Sequence, residues 1–495
     1  MIYDLNEFDL STETKKYDVI VCGAGVAGIT ISKKLIASNK EVLLLEAGDL
    51  DATLESSSLY KLENIGLPYD GAEGCRLRYF GGTSNHWAGR CMELMEYDFS
   101  DRPYFELPCW PINKKDLEQY FSEACEVLEI KPNSFKHVGY SGYNSQWFET
   151  AKLAKSPPTR FGAKYRNLFE KAQNVDVILN ANVIDLILDN NDRDRVTAVK
   201  VINYKGAKYL FDANVVILCF GAIENARFLL NTDRQIPKGI GNHSDMLGRC
   251  FMEHFNVRLG RYVANPDIPE LKNRIEFLPK RKLLDKEKIG SSVIAFTPNS
   301  SPKEYGRLAE LKRSARNYIC NSDVFLEEAR KIIDFDCPGD GVIDTLCEQI
   351  PNKKSRIVLL EEKDAIGLRK AALDWQITDK DIHTIRALGM NIAKEFARLN
   401  LGRVQLRKYI LDTSSDIKEL GAHCHQMGTT RMSVDPKYGV VDRDLRVHGY
   451  KNLYIAGSSV FSTGGGVNPT LTIVQLALRL ADHVRETLIN SPFSA

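Results

Sequence analysis

The chain has 495 residues, 43% of them apolar and 26% charged, with 66 basic side chains against 65 acidic ones. That length exceeds one simple core, so two domains are expected. A net charge of +1 with no long run of either sign argues against a nucleic-acid or acidic-membrane footprint, and no apolar stretch reaches the roughly 20 residues of a membrane span.

The first segment, MIYDLNEFDLSTETKK, is acidic and lacks the basic, apolar, small-residue order of an export signal. The 11 cysteines form no CxxC pair, and Cys22 and Cys219 sit in apolar surroundings. They read as free thiols of a reducing, cytoplasmic compartment.

The most informative segment is YDVIVCGAGVAGITISKKLIASNKEVLLLEAGD. Tyr17 to Cys22 is an apolar strand running into Gly23-Ala24-Gly25-Val26-Ala27-Gly28, then a helix, then the buried strand EVLLLE. Gly23 permits a tight turn, Gly25 lets backbone approach a pyrophosphate, and Gly28 lets helix and strand pack closely. The helix start offers unpaired N–H groups to phosphate, and Glu46 is placed for the ribose hydroxyls of an adenosine. This fingerprint alone does not separate FAD from NAD.

Leu77 to Arg90, LRYFGGTSNHWAGR, is a small, glycine-rich loop that ends on His86 and Trp87. Backbone of this kind can lie against a flat ring. The stretches NVDVILNANVIDLILDN, which carries Val183, and RVTAVKVINYKGAKYLFDANVVILCF read as a small antiparallel sheet that returns to a last buried strand. Gly221-Ala222 turns that strand into a helix beside the first fingerprint.

Asn242 to Asn256, NHSDMLGRCFMEHFN, reads as a crossing between domains. His254 within it could face a cavity, although a packed or surface position is commoner for such a residue. Gln349 and Trp375 are further possible cavity residues, with no better claim to that than to the core. The middle mixes charged helical pieces (EFLPKRKLLDKEKIG, and residues 307–333) with strands such as SSVIAFTP. TDKDIHTIRALGMNIAKEFARLN is an amphipathic helix beginning at a Thr or Asp cap.

Near the C-terminus, GAHCHQMGTTRM places His423, Cys424 and His425 side by side. Three chemistries are open to them: a metal site, a thiol with its base, or one catalytic histidine with bystanders. A zinc site would need further ligands, and no convincing cluster of them stands out. NLYIAGSSV, containing Gly457, reads as a strand, and PTLTIVQLALRLADHV as a helix starting at Asn468-Pro469-Thr470. Proline there needs no donor.

Gly81 to Trp87, together with HQMGTTRM and the segment GVVDRDLRVHGYKNLYIAGSSVFSTGGGVNPT, resembles the glucose-methanol-choline (GMC) oxidoreductases, in particular the branch of pyranose oxidases and hexose dehydrogenases. The resemblance covers most of the chain in order, with a diffuse middle. It implies an α/β fold: a Rossmann-like FAD-binding domain with a discontinuous α+β substrate domain built on an antiparallel sheet. Residues 1–100, 160–255 and 416–495 are then expected in the FAD domain, and 101–159 and 256–415 in the substrate and cap regions.

The resemblance further implies FAD-dependent oxidation of an alcohol, with a sugar or glycoside hydroxyl as the expected substrate and a non-sugar alcohol or a natural product as competitors. Non-oxidative, lyase-type chemistry on the same scaffold is the alternative. His425 would be the base and Asn468 its partner in handling the substrate hydroxyl, with His423 and Cys424 in supporting roles. Gly23, Gly25, Gly28, Glu46, Gly82, Thr83, Ser84, Asn85, His86, Val183, Gly221, Gly457, Asn468, Pro469 and Thr470 are the expected cofactor contacts. His86 is also a candidate for covalent attachment. The helix starting after Asn468 would aim its positive end at the flavin pyrimidine. Oxygen or another carrier would accept the electrons, and no metal, nucleic acid or membrane span is expected.

Overall fold

The computed structural model describes residues 1–7, 15–69, 71–138, 145–299, 341–415 and 420–490, together with residues 143 and 417 and scattered positions between 311 and 329. Segment 307–333, read above as partly helical, falls mostly outside them.

Continuous Val/Ile/Leu runs build the first sheet, because its parallel strands are covered on both faces. Tyr17–Cys22 lies between Val42–Leu45 and the second half of Lys208–Leu218, parallel to both. Val175–Leu179 and then Ile2–Asp4 extend the sheet on one side, and Leu453–Ile455 extends it on the other, all in parallel. The short first strand, within a segment whose acidic composition carries no strand signal, is held by its pairing with Val175–Leu179. The long strand Lys208–Leu218 also pairs, through its first half, with Val196–Ile202, which pairs with Asn182–Leu188, both antiparallel.

Two glycines make the turn out of Tyr17–Cys22 possible. Gly23 has φ +104°, which a side chain would strain. At Gly28 a Cβ would stand 1.9 Å from the Gly23 carbonyl oxygen, so only glycine lets helix Val26–Leu35 close onto the turn. The C-terminal helix, Thr470–Asn490, packs beside that first helix.

The second sheet is antiparallel, in the order Gly402–Leu406, His254–Ala264, Gly341–Glu348, Ser292–Pro298, Ile275–Pro279 and Phe148–Thr150. Its side chains alternate in the two-residue period of a strand. Phe255, Val257, Ile294, Phe296 and Ile343 are buried in one core, whereas Asn256, Val293, Ala295 and Asp344 line a cavity. Helix Asp379–Arg398 covers the core face, with Phe396 stacked on Phe296 at 4.7 Å between ring centroids. Its start is a capping box. Thr378 Oγ1 accepts from the Asp381 N–H, and the Asp381 carboxylate accepts from the Thr378 N–H.

The two sheets therefore sit in the α/β and antiparallel arrangement expected. Among the described residues, no helix is long and apolar enough to cross a membrane.

Candidate active site

A cavity of about 840 Å³ runs from the glycine turn of the parallel sheet to one face of the antiparallel one. Gly23, Gly25, Glu46 and Val183 line one end of it, and Gly82, Thr83, Ser84 and His86 line its side. Gly221, Gly457, His425, Asn468, Pro469 and Thr470 complete the wall. Two expected contacts stand outside that lining. Gly28 is used in helix packing, and Asn85 accepts from the Gly162 N–H at 3.0 Å while its Nδ2 donates to the Phe80 carbonyl at 2.8 Å. Asn85 thus holds the loop that carries its neighbours.

Several observations show that a dinucleotide fits this wall. Gly25, Gly221 and Gly457 come from three separate segments, and a Cβ on any of them would meet nothing within 4 Å. The backbone is therefore laid bare to the cavity at three points. Helix Val26–Leu35 has no side chain capping its start, so its first N–H groups remain available to an anion. Glu46, 5% exposed, accepts from the N–H groups of Ala24 at 2.8 Å and Gly48 at 2.9 Å. Those bonds lock its carboxyl against the turn. His86, by contrast, is exposed and joins its Nε2 to Tyr79 Oη at 3.0 Å.

At the opposite end, the reactive groups converge from distant segments. Asn468 Nδ2 lies 3.3 Å from His425 Nε2. On the other side of the ring, His425 Nδ1 lies 3.0 Å from His254 Nδ1, the two rings standing nearly perpendicular at 87°. The sequence favours a packed or surface position for His254 over one facing the cavity. It is fully buried, outside the cavity lining, yet in contact with the candidate base. Gln349 and Trp375 are both buried and lie behind it: Gln349 Oε1 accepts from Trp375 Nε1 at 2.9 Å and from the Glu253 N–H at 3.1 Å.

Glu253 was not singled out in the sequence, and no local signal marks it. Its Oε1 accepts from the backbone N–H groups of both His425, at 2.6 Å, and His254, at 2.8 Å. Its other oxygen meets Tyr69 Oη. Burial pushes its carboxyl up to about 8. Burial also presses His425 well below the usual imidazole range, helped by the neighbouring His254 and His423, so the ring is held neutral. His423 and Cys424 line the cavity too, with the His423 ring 6.0 Å from that of His425. Among the described residues, no group of three or more His, Cys, Asp or Glu side chains is disposed to hold a metal ion.

Beyond His423, the wall turns polar. Arg90 and Arg274 share the buried carboxylate of Glu276, and Asp344 accepts from Arg258 Nε at 2.9 Å. Asn256 and Thr345 also line the cavity.

The GMC oxidoreductase family model matches residues 351–477, the part that carries His425 and Asn468. The chain is also 23% identical to the fructose dehydrogenase large subunit of Gluconobacter japonicus, over 97% of this chain and 99% of that protein. Both matches point to the GMC oxidoreductase family. Paromamine 6'-oxidase of Streptomyces fradiae is 23% identical, over 98% of this chain and 94% of that enzyme. The fold is shared by a formate oxidase variant of Aspergillus oryzae RIB40 described for its FAD modification. That likeness has a TM-score of 0.57 at 15% identity, over 96% of this chain and 99% of the other. The chain is thus an FAD-dependent oxidoreductase acting on CH–OH groups.

Proposed function

We propose that this GMC oxidoreductase oxidises a sugar or glycoside hydroxyl to a carbonyl, with His425 as base and Asn468 orienting the hydroxyl. The observation that carries this reading is the His425–Asn468 pair, 3.3 Å apart, on the wall of the cavity that begins at the Gly23 turn. FAD, when bound, supplies the acceptor for the hydride that leaves the carbinol carbon. The residues handle the proton. A hydroxyl yields hydride readily only as its own proton departs, and neutral imidazole is suited to take it. The depressed protonation of His425 keeps that imidazole ready. Asn468 offers an amide donor to the developing alkoxide without competing for the proton.

The names of the relatives, which include a fructose dehydrogenase and a paromamine 6'-oxidase, support a carbohydrate substrate. So does the polar end of the cavity, where Arg90, Arg274, Asn256 and Asp344 offer donors and acceptors to several hydroxyls. Oxygen or another carrier then reoxidises the cofactor. The test is anaerobic bleaching of the yellow enzyme by a panel of sugars, glycosides and simple alcohols, with at least one sugar or glycoside expected to bleach it faster than the simple alcohols.

His86 is the candidate flavin attachment residue, from its place in the cavity wall beside Gly82-Thr83-Ser84. Acid precipitation reads this directly. A covalent bond leaves the yellow colour in the pellet, and colour that passes entirely to the supernatant contradicts it.

A further inference from the structure

His254 makes two ring contacts, and together they determine where its protons are. Its Nε2 lies 2.7 Å from the Gly465 carbonyl oxygen. A carbonyl can only accept, so Nε2 carries a hydrogen. The ring is completely buried, and burial lowers its protonation to about 4, so at neutral pH it holds one proton. Its Nδ1 is therefore a bare lone pair, directed at His425 Nδ1 at 3.0 Å. Two lone pairs do not approach to that distance without a hydrogen between them, so His425 Nδ1 is the donor.

We propose that His254 is a positioning residue that fixes the tautomer of His425, with the proton on Nδ1 and the lone pair of Nε2 presented to the cavity. The proposal rests on the reading of His425 as the base. The placement of Asn468 is compatible with it, since its Nδ2 lies 3.3 Å from His425 Nε2 and an amide N–H can donate to a bare nitrogen there. The outer end of the relay is rigid. Gly465 donates its N–H to Glu348 Oε1 at 3.0 Å, and Glu348 is clamped by Arg102 through bonds of 2.7 and 3.0 Å, all buried. At Gly464 a Cβ would come within 3.2 Å of His254 Nε2, so the glycine run packs directly on the ring. When His425 Nε2 takes the substrate proton, the resulting imidazolium keeps its Nδ1–H donated to a neutral acceptor. No second proton has to move.

The experiment is ¹⁵N NMR of the FAD-loaded enzyme labelled in histidine, with the His425 signals identified by their loss in His425→Ala. The native enzyme is expected to show His425 with Nδ1 protonated and Nε2 bare. A protonated Nε2 overturns the proposal, and this reading needs no variant at His254. His254→Gln, which can reach Gly465 but offers no acceptor at the Nδ1 position, is expected to mix the tautomers. It should slow limiting anaerobic bleaching by about 100-fold, in the range of general-base effects, at little change in half-saturating substrate. His254→Asn, whose Oδ1 replaces the Nδ1 acceptor, is expected to recover about tenfold of that loss, roughly half of it on a free-energy scale. A Gln variant with the native tautomer and native rate contradicts the positioning role. A native bleaching rate in His425→Ala instead contradicts the base assignment, leaving the tautomer measurement to stand on its own.

Discussion

At the scale of single residues, the site depends on keeping a histidine neutral. His425 is held well below the ordinary imidazole value by burial and by two neighbouring histidines. A base with depressed protonation stays competent as pH falls, so the acid limb of the bleaching rate is expected to lie below pH ~6.5, the value of a free imidazole. A limb at or above that value would mean that His425 is not the titrating base. Stability follows the same sign. His254 and His425 bind protons less well folded than unfolded, so the unfolded chain takes up protons first as pH drops below about 6.5. These groups therefore contribute stability that is present above the unfolded value and lost on acidification toward about 4.

Elements explain which of these features were legible in the sequence. The glycine turn was readable because its causes are local. Gly23 needs a positive φ and Gly28 a missing Cβ, and both sit within one strand–turn–helix unit. The two glycines of this turn next to the cavity should separate cleanly by substitution. Gly28→Ala forces a Cβ against the Gly23 carbonyl and is expected to cost roughly 1–3 kcal/mol or more in unfolding free energy. Gly25→Ala meets no atom within 4 Å at φ −81°, so the apo fold should keep its stability while FAD retention falls. Thermal unfolding of apo and FAD-loaded protein reads both outcomes. The Thr378 cap was readable for the same reason, and Thr378→Ala should cost about 0.5–2 kcal/mol, measured by denaturant unfolding.

His254 was not legible in the same way. It lies 171 residues from His425, and the contact exists only because strand His254–Ala264 pairs with Gly421–Ala422, with the His423 N–H donating to the His254 carbonyl at 3.2 Å. Neither strand register nor the return of a distant segment is visible in a local window. Glu253 and Glu348 escaped notice for that reason as well: their partners are backbone N–H groups and an arginine far away in the chain.

In the whole molecule, the cavity lies where the two sheets meet, and each supplies one half of the chemistry. The parallel sheet offers the glycine backbone and helix N-termini that suit a dinucleotide. The antiparallel sheet offers Asn256, Asp344 and, through its arginine pairs, the polar end where a carbohydrate would rest. We keep the division into an FAD domain and a substrate domain as a proposal that follows from this arrangement. His425 and Asn468 arrive from the C-terminal return of the chain and sit between the two halves. The most direct measurement of the account is therefore stopped-flow bleaching of the anaerobic, FAD-loaded enzyme by the carbohydrate and alcohol panel, native against His425→Ala. The account predicts bleaching by at least one sugar or glycoside, slowed about 10²–10⁴-fold in the variant; no bleaching across the whole panel, or equal rates in the two proteins, would contradict it.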